Sequence, residues 1–134
     1  MKKLTGATAC SILLGLLLPT AAWAEAIQRN DGTIIAWGDN DFGQCDVPAP
    51  NTDFVAVAAG YYHNLGLRTN GTVIAWGYNI YGQCDVPMPN MGFVAIAAGD
   101  QHSFGMKSDG SIVTWGRNNY GQCDGRSNAR LRKR

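Results

Sequence analysis

Three cysteines, Cys45, Cys84 and Cys123, stand 39 residues apart. A thiol can serve as nucleophile, redox centre or soft metal ligand, so a regular set of three first suggests a metal site or a disulfide. The spacing argues against both. No Cys-x-x-Cys pair is present, and no paired histidine lies near any of the three. Residues related by a repeat can be bridged only if their Cα atoms come within about 7 Å. With Cys10 set aside in an N-terminal segment read below as a removed signal, the odd count of three keeps a disulfide to a partner or neighbour open. The preferred reading is that each cysteine fills space as a small apolar side chain.

Other chemistry is sparse. His63 and His102 follow Ala-Ala-Gly at equivalent places, which reads as hydrogen bonding to a neighbouring loop rather than general-base duty. There is no phosphate loop, Gly-x-Ser-x-Gly or His-Glu-x-x-His. Asp31 and Asp109 sit in Asp-Gly turns, where aspartate serves local geometry. No catalytic residue, metal or cofactor is assigned.

The elements that carry these residues are repeated. Trp37, Trp76 and Trp115 share the 39-residue spacing, as do Gln44, Gln83 and Gln122. "FVAVAAGYYHNLGLRTNG" from Phe54 becomes "FVAIAAGDQHSFGMKSDG" from Phe93. A fixed period in this range marks a repeat array or a propeller. Asp31-Gly32, Asn70-Gly71 and Asp109-Gly110 predict two-residue hairpin turns in which both residues take positive φ. Each period thus holds about three strands, and "NIYGQCDVP" adds a candidate short fourth. "TVIAW" and "FVAVAA" are apolar without alternation, which predicts sheets covered on both faces. Small residues such as Ala58, Ala59, Gly60 and Gly66 allow close approach, and Gly77 and Gly82 permit tight turns. The tryptophans read as core anchors between copies, with aromatic ligand platforms as the other option.

The stretch "AAGYYHNLGLRTNGTVIAWGYNIYGQ" resembles the repeat of the regulator of chromosome condensation family in its shorter bacterial form. It is similar to the text of secreted, propeller-type β-lactamase inhibitors of that family. The resemblance covers Ile27 to Asp124. It implies an all-β fold, a partial β-propeller of about two and a half stacked blades, with repeats over 27–48, 54–87 and 93–124. The family's propeller has seven blades, so this chain cannot close such a ring alone. An open arc, an oligomer that completes a ring, and a piece of a longer gene all remain open. In the family, the position after Gly-Gln is commonly an apolar residue that packs inward, which is the role expected of the cysteines.

Positions that differ between copies are the candidate binding residues, because constancy suits scaffold and variation in loops suits recognition. After Ala-Ala-Gly the chain reads Tyr61-Tyr62 and then Asp100-Gln101, closed by His63 and His102. After Trp-Gly it reads Asp39, Asp41 and Phe42, then Tyr78, Ile80 and Tyr81, then Arg117, Asn119 and Tyr120 around a constant asparagine. The resemblance implies that both loop sets open on one face and form a protein-binding surface. Tyr61 and Tyr78 would offer amphipathic contact area there. For Phe42, Tyr62, Tyr81 and Tyr120, packing over a blade edge is the competing expectation.

Charge is segregated. From Glu25 to Gly125 there are ten acidic and four basic residues, while the tail from Arg126 adds five basic ones. An acidic body disfavours nucleic acid as partner. Residues 1–24 read as a Sec-type signal: Lys2 and Lys3, an apolar run from Ile12 to Leu18, then Ala22-Trp23-Ala24 as the cleavage site. Cys10 precedes that run and so does not mark a lipid anchor. The run is too short to span a bilayer. The expected product is a periplasmic or secreted repeat domain over 25–125 with no transmembrane span, and a basic disordered tail over 126–134. The expected function is non-catalytic protein binding, as an inhibitor or scaffold, with self-association to complete a ring as a further option. The alternative is a propeller-type hydrolase or lyase acting on an envelope polymer.

Overall fold

The three Asx-Gly pairs each make a hairpin, and they share one geometry. The Arg29 N–H donates to the Thr33 carbonyl at 2.7 Å and the Gly32 N–H donates to the Arg29 carbonyl at 2.9 Å, closing a three-residue loop. Only the glycine is left-handed, with φ of 85° at Gly32, 86° at Gly71 and 88° at Gly110. This corrects the expected two-residue turn, in which both central residues would have positive φ. A three-residue loop ending in a left-handed glycine leaves the preceding Asx free to bond locally. Asp31 and Asn70 accept from the backbone N–H and hydroxyl of Thr33 and Thr72, and Asp109 accepts from the Ser111 N–H.

The protein is described here from a computed structural model, which covers residues 25–124. Strands β1 (Glu25–Gln28) and β2 (Ile34–Trp37) form a two-stranded sheet. Strands β3 (Phe54–Ala59), β4 (His63–Arg68) and β5 (Val73–Gly77) form a second sheet. Strands β6 (Phe93–Ala98), β7 (His102–Lys107) and β8 (Ile112–Gly116) form a third. All pairings are antiparallel, in sequence order, and no described residue is helical. The β1–β2 pair matches β4–β5 and β7–β8 in the 39-residue register, so the described residues hold one partial blade and two three-stranded blades.

Two apolar seams join the blades. Ala26 and Ile34 of the first blade meet Phe54 and Trp76 of the second. Leu65, Leu67 and Val73 of the second meet Phe93 and Trp115 of the third. Phe54 lies over Gly66, where an added Cβ would stand 2.6 Å from its ring, and Phe93 covers Gly105 in the same way. The missing side chains are what let each ring lie flat on its own sheet. The middle strand β4 is buried from His63 to Leu67, whereas the apolar runs of β3 and β5, expected to be covered on both faces, are mostly half-buried. In β3 and β6 only Phe54 and Phe93 are buried; Val55 and Val94 are exposed where the register shifts after them, and Ala97 is exposed too.

Polar groups lock the same seams. The Gln44 carbonyl accepts from Trp76 Nε1 at 2.9 Å and Asn64 Nδ2 at 2.7 Å. The Gln83 carbonyl accepts from Trp115 Nε1 and Ser103 Oγ, both at 2.9 Å. Trp76 and Trp115 are therefore seam anchors, and Trp37 stands outside both seam clusters. Trp76 and Trp115 are buried, and Trp37 is half-buried.

The candidate fourth strand is absent among the described residues. Residues 78–87 turn instead, because Asn79 draws them inward: its Oδ1 accepts from the Cys84 N–H and its Nδ2 donates to Asp85. The blade edge is met by a side chain. Asn90 Oδ1 accepts from the Val73 N–H and its Nδ2 donates to the Val73 carbonyl, and Asn51 does the same for Ile34. One amide thereby pairs the N–H and the carbonyl of one residue on the blade edge. The signal segment, its cleavage site and the basic tail lie outside the described residues.

Candidate binding rim

The Trp-Gly-x-Asn loops are built alike in all three copies. Asn40, Asn79 and Asn118 each accept from the N–H of the following cysteine and donate to the following aspartate. Gln44, Gln83 and Gln122 each accept through Oε1 from the N–H of the loop aromatic, Phe42, Tyr81 or Tyr120. Inside this frame the thiols of Cys45, Cys84 and Cys123 are free and half-buried, 3.4 Å from the carbonyls of Asp39, Tyr78 and Arg117. The cysteines therefore fill the loops and not the apolar seams, which corrects the inward-plug expectation. Burial holds Cys84 up at about 12, with Asp85 adding to the shift. Burial also raises Cys45 and Cys123. All three stay protonated at neutral pH, and the thiol is the weak form for nucleophilic attack or metal binding. Among the described residues no group of three or more His, Cys, Asp or Glu side chains is placed to hold a metal.

The two variable loop sets meet. The Tyr78 N–H donates to the Tyr62 carbonyl and the Arg117 N–H to the Gln101 carbonyl, each at 2.9 Å, so each Trp-Gly loop is tied to the Ala-Ala-Gly loop of its own blade. The Tyr61 N–H donates to the Asp100 carbonyl at 3.4 Å, tying one blade's loop to the next. Rings then run across the blades. Phe42 lies 4.5 Å from Tyr78 and 5.1 Å from Tyr62, Tyr61 lies 4.4 Å from Tyr62, and Tyr78 lies 6.4 Å from Tyr81. Arg117 is stacked 5.0 Å above Tyr81 and donates to Gln101 Oε1. Phe42, Tyr61 and Tyr81 are 44%, 38% and 40% exposed, so the row keeps an open face. Asp41, Asp100, Ile80 and Asn119 are also exposed, and Asp39 is half-buried. Tyr120 is exposed at the far end, in the loop of the third blade.

His63 does not belong to this rim. It is buried in the second seam, where its Nε2 lies 2.9 Å from Ser103 Oγ. Ser103 gives its single proton to the Gln83 carbonyl, so His63 must donate from Nε2 and leave Nδ1 bare and buried. Burial, with a smaller push from His102, lowers His63 to about 4 and keeps the ring neutral. His102 is half-buried, edge-on to Phe104 at 5.0 Å. Sequence reading missed three uses of cations. Arg68 covers Phe54, Lys107 covers Phe93 and Arg117 covers Tyr81, so three of the body's four basic residues sit on aromatic faces. Each cation stands one period from another or across a seam from its ring, a signal that spacing alone does not carry.

The profile of the regulator of chromosome condensation (RCC1) repeat matches residues 54–83 and 93–122. Those two stretches are RCC1 repeats. The crystal structure of Prp20p from Saccharomyces cerevisiae superposes with a TM-score of 0.63 at 21% identity, over 72% of this chain and 29% of that one. The ectodomain of the Physcomitrella patens receptor kinase CR4 gives 0.62 at 24%, over 74% and 28%. Human WBSCR16 gives 0.62 at 19%, over 73% and 32%. These similarities establish the fold, a partial β-propeller of RCC1 repeats. The chain spans under a third of the length of these solved relatives. No curated protein sequence matches it. The Prp20p structure was described together with that protein's binding to Gsp1p and histones, and the same yeast protein is known bound to Kap60.

Proposed function

We propose that this RCC1-repeat chain is an exported, non-catalytic protein-binding module, an inhibitor or scaffold whose contact surface is the rim. The observation that carries this reading is the aromatic row from Phe42 through Tyr62, Tyr61 and Tyr78 to Tyr81. It joins variable loops of two blades and keeps an open face. Tyrosine offers large contact area and a hydrogen-bonding tip while giving up little rotamer freedom, which is why it recurs at interface hot spots. Asp41 and Asp100 flank the row and favour a partner with basic groups at the same place. Protein binding by Prp20p, which shares the fold, is consistent with this use.

The test is affinity capture from the cell envelope and medium, with the wild-type chain and a Tyr61→Ala/Tyr78→Ala variant of unchanged melting temperature. The expected result is a protein retained by the first and lost by the second. Identical capture by both would remove the rim from consideration.

A further inference from the structure

Between the loops that follow β3 and β6 lies an open groove of 470 Å³, lined by Ala59, Gly60 and Tyr61 of the second blade and Ala98, Gly99 and Asp100 of the third. The alanines and glycines give it a floor of backbone and methyl groups. Both glycines must stay bare, because a Cβ on Gly60 would stand 2.4 Å from the His63 ring and one on Gly99 2.5 Å from the His102 ring. The large side chains at the groove are one ring from one blade and one carboxylate from the next. The Tyr61 N–H donates to the Asp100 carbonyl at 3.4 Å, which fixes the two residues across the joint. That bond leaves the Asp100 carboxylate exposed.

The neighbouring residues show what such a pair can hold. The Arg117 guanidinium lies 5.0 Å over the ring of Tyr81, from the second blade, and donates to Gln101 Oε1, from the third. Tyr61 and Asp100 again set a second-blade ring beside a third-blade acceptor, one residue away from Gln101 in the same loop. The acceptor here is charged, and a charged acceptor bonds a guanidinium about twice as strongly as a neutral one. The chain's own Arg68, Lys107 and Arg117 are placed over other rings. Tyr62, against which Tyr61 lies, is raised above the usual phenol value by Tyr61 first and by Asp39 and Asp41 as well. Negative charge therefore surrounds the ring side of the groove too.

We propose that this groove receives an arginine side chain of the partner protein, with its guanidinium between the Tyr61 ring and the Asp100 carboxylate. The inference rests on the reading of the rim as a protein-binding surface. The methylene stem lies along the bare floor, where it covers methyl and backbone groups. The flat cation stacks on the phenol ring, and its N–H fork meets the two carboxylate oxygens. A lysine has the charge without the plane or the fork, so it fits the same walls less well.

The test is an NMR titration of the isotope-labelled full chain at low salt with the tripeptide acetyl-Gly-Arg-Gly-amide and its citrulline and lysine counterparts. The arginine peptide should move the backbone amides of Gly60, Tyr61, Gly99 and Asp100 together. Citrulline keeps the shape and loses the charge, and should bind about tenfold more weakly. Lysine should bind roughly threefold more weakly. Asp100→Asn keeps the carbonyl that accepts from Tyr61, so it should melt at the wild-type temperature while the arginine peptide binds about tenfold more weakly. Shifts scattered over the acidic body, or undiminished binding by Asp100→Asn, overturn the proposal. So does a variant with Arg126, Arg130, Arg132, Lys133 and Arg134 all changed to serine that binds the peptide where the wild-type chain does not, since the groove then belongs to the chain's own tail. The capture experiment separates groove from rim. Capture lost in Tyr61→Ala/Tyr78→Ala but intact in Asp100→Asn overturns the groove and leaves the rim standing. Equal capture by all three chains removes the rim, and the partner with it.

Discussion

The seam between the second and third blades and the rim above it are made from the same two strands' worth of sequence, and they use it oppositely. In the seam the polar bonds converge: Trp115 and Ser103 donate to the Gln83 carbonyl and His63 to Ser103, while His63 Nδ1 stays bare. On the rim the side chains touch one another and keep exposed faces, as Tyr61 does on Tyr62. The repeated Phe and Trp are held in the seams, and the repeated Asn and Cys make the frame of the rim loops. Residues that differ are gathered at the rim, where a change alters the surface and leaves the fold alone. Cost of substitution is thus the physical difference between the two regions.

That contrast gives an order of expected effects, each read by urea unfolding. Phe93→Ala removes the ring between Gly105, Trp115 and Lys107, and should cost about 3–5 kcal/mol. Acid should come next. His63 is held neutral with a folded value near 4, below its ordinary 6.5, so the unfolded chain binds the proton more readily. Stability is full above the ordinary value and falls as pH drops towards 4, by about 3 kcal/mol. His63→Gln should remove that part of the pH dependence, and a wild-type curve with no such slope would mean that the seam is wet. Trp115→Phe keeps most of the packing and loses the bond to Gln83, for about 1 kcal/mol. Tyr61→Ala should change stability by less than about 0.5 kcal/mol. A larger loss there would make the rim row a structural element and erase the contrast.

Much of this was legible in the chain. The 39-residue echo and the Asx-Gly turns give the strands and the blades, because a repeat that buries its own copies needs the same apolar positions each time. The turn type was not legible, since Asp-Gly serves two-residue and three-residue loops alike. His63 was grouped with its variable neighbours because it adjoins them, but strand alternation points it the other way, into the seam. The role of Asn51 and Asn90 as stand-ins for a fourth strand has no local pattern to announce it. An asparagine that follows Pro-x-Pro reads as a loop until the edge it meets is known.

By itself the sequence determined the number of blades, their order and the division between constant and varying positions, since those follow from periodicity and from hydrophobic residues that must be covered. Tertiary structure alone decided which varying residues become neighbours. Phe42 and Tyr78 are a period apart and touch only because adjacent blades bring equivalent loops side by side. It also decided that Leu67 is enclosed while its counterpart Met106 is open, because burial depends on what stands opposite and not on the residue's own chemistry.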